Sequence, residues 1–171
     1  MLTRDCDARA PAGGYRPAAM AWRMEVALLV GAQGSGKTSF YAATLIHTHL
    51  RVSRDLVRTK HRERRLFETC LDLQQPLVLD NTNPSAAVRA PWIALARARG
   101  FPVVGYWLDV AIADALGRNA GREGAQRIPE VAVHRTHALL EPPRFDEGFE
   151  QIWRVEVGEP GRYRLTPVEP G

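Results

Sequence analysis

Gly31-Ala32-Gln33-Gly34-Ser35-Gly36-Lys37-Thr38 fits the pattern G-x-x-x-x-G-K-[ST] in full. It follows the apolar run Val26-Ala27-Leu28-Leu29-Val30 and opens a helix-like segment, which is the context that gives the pattern meaning. Gly31, Gly34 and Gly36 let the backbone take positive φ and turn its N–H groups inward. The following helix N-terminus favours an anion. Lys37 supplies a point charge between β- and γ-phosphates, and Thr38 offers a hydroxyl to Mg²⁺. Gln33, Ser35 and Ser39 complete the set expected on the nucleotide. The loop predicts binding of ATP or GTP and leaves open what receives the phosphate, or whether anything does.

Three further clusters could do chemistry. Leu79-Asp80-Asn81-Thr82-Asn83 ends an apolar strand, and an aspartate there serves either the Mg²⁺ shell or the turn that follows. No Asn-Lys-x-Asp follows it, so ATP is expected rather than GTP. Asp55 and Arg58 are three residues apart at the start of an expected helix and would share a face. A carboxylate there could take the proton of an attacking hydroxyl, and the guanidinium could grip an acceptor phosphate in bidentate fashion; the alternative is an ordinary i,i+3 surface pair. The third cluster is the Gly- and Arg-rich stretch 117–129, in which Arg118 and Arg122 are four apart. It reads as a lid that brings arginines over a triphosphate, or as a plain exposed loop.

Around these clusters strand-like and helix-like text alternates. Strands are expected at 25–30, ending near 52–54, and at 76–80, 101–108 and 149–157, with an edge element at 162–166. Helices are expected at 38–50, 55–73, 85–99, 112–119 and 129–141, with Ser85 as an N-cap and Gly100 as a stop. That alternation predicts an α/β fold with a mostly parallel sheet covered on both faces and ligands at the strands' carboxyl ends. Residues 1–23 show no period and read as a disordered tail, leaving 24–171 as one domain.

The chain has 171 residues, 45% of them hydrophobic and 25% charged, enough for one soluble domain with a real core. No apolar run is long enough to span a bilayer, the first residues lack a secretory apolar stretch, and two cysteines make no disulfide framework. The cytoplasm is therefore the expected compartment, with no membrane partner. The net charge of +4 permits a phosphate-rich partner without requiring one. Segment 51–65 carries Arg51, Arg54, Arg58, Lys60, Arg62, Arg64 and Arg65 against Asp55 and Glu63, which is either a polyanion track or a solvated helix face.

Together, the loop 31–38, Arg54-Asp55 with Arg58, Asp80-Asn81-Thr82-Asn83-Pro84, and Arg118-Asn119 with Arg122 and Ile128-Pro129 resemble the kinase domain of the polynucleotide 5′-kinase family, over about residues 24–157. The Asp-Asn-Thr-Asn run is the most distinctive of these. The resemblance implies a P-loop NTPase-type three-layer sandwich with a five-stranded sheet in the order 2-3-1-4-5 and a small arginine lid. It implies ATP and Mg²⁺ as cofactors and nucleic-acid 5′-OH ends, DNA or RNA, as acceptors. Asp55 would be the general base, Lys37 and Thr38 would bind ATP and Mg²⁺, and Arg58 would hold the acceptor's phosphate. Arg122 would stabilise the transferring phosphoryl group with Arg118 assisting, while Asp80, Thr82 and Asn83 would support the site floor, the last two on the acceptor side. Ser53 departs from the Asn that often precedes Arg-Asp in the family. The chain has no room for the phosphatase, phosphodiesterase or ligase module that relatives often carry, so end-healing would need separate proteins. Kinases of small molecules or of tRNA-linked substrates share the same parts, and a non-catalytic ATP-binding module is the remaining alternative.

Overall fold

The computed structural model describes residues 24–121, 124, 127–158 and 161–171. Its centre is β1 (Val26–Val30), five apolar residues with no exposed surface. A strand that is apolar on both faces needs cover on both faces, and the alternation of side chains divides it between two cores. Val26 and Leu28 pack with Phe67, Leu71, Ile93 and Phe101. Ala27 and Leu29 pack with Phe40, Leu45, Tyr106 and Leu108. The helices that supply those residues form the outer layers: α1 (Lys37–Thr44) on one face, α3 (Lys60–Asp72) and α4 (Ala86–Ala98) on the other.

The sheet has six strands in the order β2-β3-β1-β4-β5-β6. β2 (Leu50–Val52), β3 (Leu77–Leu79), β4 (Val103–Trp107) and β5 (Gln151–Val157) run parallel to β1, so the expected order holds. The anticipated edge element is β6 (Tyr163–Pro167), antiparallel to β5. Leu79 pairs with both Leu28 and Val52. That register brings the residues after β1, β2 and β3 to one edge. Among the described residues no helix is long and apolar enough to cross a membrane.

Two expected helices differ from the structure. The one at 38–50 stops at Thr44, because Leu50 is needed as the first residue of β2 opposite Leu77. β2 accordingly ends at Val52, and Arg54 opens a helix rather than closing a strand. The helix at 55–73 is two helices, α2 (Arg54–Val57) and α3, separated by Arg58 at φ 71 and by Thr59. Thr59 caps α3 by accepting a hydrogen bond from the Arg62 N–H.

Arg89 of α4 has no exposed surface, yet each of its three guanidinium nitrogens has an acceptor. It donates twice to Glu147, at 2.7 Å each, and to the carbonyls of Asn83 and Glu141 at 3.0 Å. It thereby ties the turn after β3 to the short 3₁₀ helix Phe145–Glu147. Ser85 occupies the N-cap of α4, but the carboxylate of Glu141 is what accepts from the Ala86 N–H, at 2.9 Å. Removing one partner of a buried ion pair strands the other. Arg89→Ala is expected to destabilise the fold by about 3–5 kcal/mol, read by urea denaturation, whereas an exposed arginine such as Arg135 should cost under about 0.5 kcal/mol when replaced.

Candidate active site

The phosphate loop connects β1 to α1 and is shaped by its glycines. Gly34 and Gly36 sit at φ 81 and 93. A Cβ on Gly34 would lie 2.3 Å from the Ala115 carbonyl oxygen, so here glycine lets α5 (Ile112–Ala120) close against the loop. Lys37 folds over the loop and donates to the carbonyls of Gly31, at 2.9 Å, and Ala32, at 2.7 Å. The Gly31 N–H donates to the Thr82 carbonyl at 3.0 Å, joining the loop to the turn after β3. Ser35 is buried, and the buried Gln33 Oε1 has no hydrogen-bond partner.

Asp80 follows β3 directly and is 5% exposed. Its Oδ2 accepts from the Thr38 hydroxyl at 2.9 Å and from Nε of Arg51 at 2.7 Å, and Nη2 of Arg51 lies 2.7 Å away in the same ion pair. The hydroxyl and the carboxylate form the hard-oxygen pair that suits Mg²⁺. Arg51, whose guanidinium also lies 5.9 Å from the Tyr41 ring centroid, anchors this carboxylate, a role that the charge surplus of segment 51–65 does not reveal.

Asn83, at φ 44 and 1% exposed, donates to the Leu29 carbonyl at 2.8 Å. It braces the turn after β3 against β1. Thr82 meets the loop through its carbonyl.

Asp55 and Arg58 stand beside this floor. Asp55 lies in the first turn of α2, three residues past β2, and both residues are exposed. Among the described residues neither side chain makes a hydrogen bond or ion pair, so the ordinary i,i+3 surface pair does not form. The left-handed turn at Arg58 takes it out of helical register with Asp55. What holds Asp55 in place is its neighbour. The Arg54 side chain donates to Glu63 at 3.1 and 3.2 Å, its N–H donates to Asn81 Oδ1 at 3.2 Å, and Asn81 donates to Glu63 at 2.6 Å. Glu63 is fully buried, a placement its helical spacing with Phe67, Cys70 and Leu71 could have signalled.

On the other side, Arg118 of α5 reaches the loop, with Nη1 3.5 Å from the Ser35 carbonyl. Asn119 is 1% exposed and pairs with the Ile128 backbone in both directions, at 2.7 and 3.0 Å, closing the base of the expected lid. Arg122, the lid arginine of the sequence reading, lies outside the described residues, as does the tail 1–23. Tyr163 also borders the loop. Burial lifts its phenol above the ordinary value, opposed by the charge of Arg118 and a hydrogen bond with Ser39.

The family described as an AAA domain matches residues 51–143, just over half of the chain. The chain belongs to that family. It is 27% identical over 135 residues to the bifunctional polynucleotide phosphatase/kinase of Schizosaccharomyces pombe, an alignment that takes in 77% of this chain and 33% of that protein. The chain thus spans about a third of the curated relative's length. A sugar kinase from Janibacter has a TM-score of 0.61 at 17% identity, covering 80% of this chain and 87% of that one. A gluconokinase from Sinorhizobium meliloti scores 0.56 at 17% identity, with 81% and 86% covered. A fungal RNA kinase scores 0.58 at 13% identity, with 79% and 39% covered. These likenesses establish a kinase-type P-loop α/β fold.

Gly34 offers a direct check of the loop. Gly34→Ala forces a Cβ against the Ala115 carbonyl at a positive φ, so it is expected to destabilise the protein by roughly 1–3 kcal/mol and to weaken nucleotide binding. Thermal unfolding and titration with a fluorescent ATP analogue measure the two effects; wild-type values in both would show that α5 does not pack on the loop.

Proposed function

We propose that this protein is an ATP-dependent kinase that transfers the γ-phosphoryl group to the 5′-hydroxyl end of a polynucleotide. The observation that carries the reading is the state of Asp55. It is an exposed carboxylate without an ion-pair partner among the described residues, stationed by the network that Arg54 and Asn81 form around the buried Glu63, at the strand edge that also bears the phosphate loop. A carboxylate kept unpaired beside a nucleotide cradle suits a general base. The name of the Schizosaccharomyces pombe relative supports a polynucleotide acceptor.

In this reading the Asp55 carboxylate accepts the proton of the incoming hydroxyl. The bond from that oxygen to the γ-phosphorus forms as the bond to the β–γ bridging oxygen breaks, and ADP leaves. Arg58 holds the acceptor's neighbouring phosphate. Lys37 exchanges the Gly31 and Ala32 carbonyls for phosphate oxygens. Arg118 stands over the loop, and Arg122 is assigned the transferring phosphoryl group on the family resemblance. Thr38 and Asp80 would hold Mg²⁺, which when bound neutralises charge on the β- and γ-phosphates. Nucleic-acid end repair, in company with separate end-processing or ligase proteins, is the setting this activity suits.

A kinase of small hydroxyl compounds is the second reading, favoured by the sugar-kinase neighbours, whose folds are equally similar. Transfer of label from γ-labelled ATP to a panel of 5′-OH DNA and RNA oligomers, nucleosides and sugars separates the two. Label on a sugar or nucleoside alone would overturn the polynucleotide acceptor.

Asp55→Asn is expected to lower kcat about 10²–10⁴-fold with ATP affinity nearly intact; wild-type turnover would remove Asp55 as the base. Arg58→Ala should raise the acceptor KM more than the ATP KM, and steady-state kinetics in each substrate decide it.

A further inference from the structure

The seven cations of segment 51–65 are not equivalent. Arg51 is committed to Asp80, Arg54 to Glu63, and Arg64 and Arg65 both to Glu68. Arg58, Lys60 and Arg62 are exposed, and their side chains make no hydrogen bond or ion pair among the described residues. These three fall within the break between α2 and α3 and the first turn of α3. Glu63, in that same turn, holds it against the carboxyl end of β3 through the 2.6 Å contact with Asn81. The unpaired cations therefore stand at the catalytic edge of the sheet, next to Asp55.

One turn later the charges are paired along the helix, Arg64 and Arg65 with Glu68. The first turn of α3 lacks such a partner, since its one acid, Glu63, is buried and already bound to Arg54 and Asn81. The N-terminal end of α3 adds its own positive field. Resting on the kinase reading above, we propose that Lys60 and Arg62 form a backbone clamp for a single-stranded polynucleotide, engaging the phosphates that follow the one held at Arg58. The contact is to phosphates, so it carries length dependence and salt dependence but no sequence preference.

The test compares wild type with Lys60→Ala/Arg62→Ala and with the charge reversal Lys60→Glu/Arg62→Glu. The measurements are anisotropy of a labelled 5′-OH dT12 oligomer from 50 to 300 mM KCl, and phosphorylation of both dT12 and thymidine 3′-monophosphate. Two lost phosphate contacts should weaken dT12 binding roughly 10–30-fold at 100 mM salt and lower the slope of log K against log salt by about 1.4. The charge reversal should weaken binding further. Use of thymidine 3′-monophosphate, too short to reach the clamp, should stay within about twofold, as should ATP affinity. Unchanged dT12 affinity and slope in folded variants, checked by circular dichroism, would overturn the clamp. Equal loss with the short acceptor would overturn it too, by showing a general defect. If the variants lose dT12 as expected while wild type phosphorylates neither acceptor, the clamp stands and the kinase reading falls.

Discussion

The site depends on one buried carboxylate. Glu63 has no exposed surface, and a charge in that position is tolerated only when donors surround it. Arg54 and Asn81 supply them, from the residues that follow β2 and β3 respectively. The same three groups thus meet the electrostatic demand of Glu63 and fix the two strand exits relative to each other. Asp55 inherits its position from this network because it follows Arg54 in the chain. Its own side chain can then remain exposed and unpaired, since its neighbour does the anchoring.

A second carboxylate repeats the principle closer to the phosphate loop. Asp80 is nearly buried, and its Oδ2 takes donors from Thr38 and Arg51, one from the start of α1 and one from β2. The parallel register puts these partners in reach: with Leu79 level with Leu28 and Val52, whatever follows each strand emerges at the same edge. Asn83 and the Thr82 carbonyl then lock that edge to β1 and the loop. Strand pairing sets the coarse geometry, and buried polar contacts set the fine geometry.

Much of this was legible in the amino-acid order. The glycine spacing, the five-residue apolar strand before it and the Asp-Asn-Thr-Asn run are local signals, and all of them fall where the parallel sheet puts its ligands. The errors have a common cause, which is tertiary demand overriding local period. The helix at 38–50 yields Leu50 to strand pairing, and the helix at 55–73 breaks at the left-handed Arg58. Likewise, a charge count cannot say which arginines are committed, because the partners of Arg51, Arg54 and Arg89 lie 29, 9 and 58 residues away.

A weaker signal for those partners was nevertheless present. Glu63 sits four residues before Phe67, and Arg89 four before Ile93, so each heads the apolar stripe of its helix. A charge at such a position is carried into the core by the side chains behind it, so an oppositely charged or hydrogen-bonding partner must come from elsewhere in the fold. Both helices use it in the same way in one respect: each charge takes a partner from the turn after β3, Asn81 for Glu63 and the Asn83 carbonyl for Arg89. The distinction between a cation committed within the fold and an uncommitted one therefore follows from burial of the partner. Arg54 and Arg89 answer buried carboxylates, whereas Arg58, Lys60 and Arg62 face solvent with none to answer.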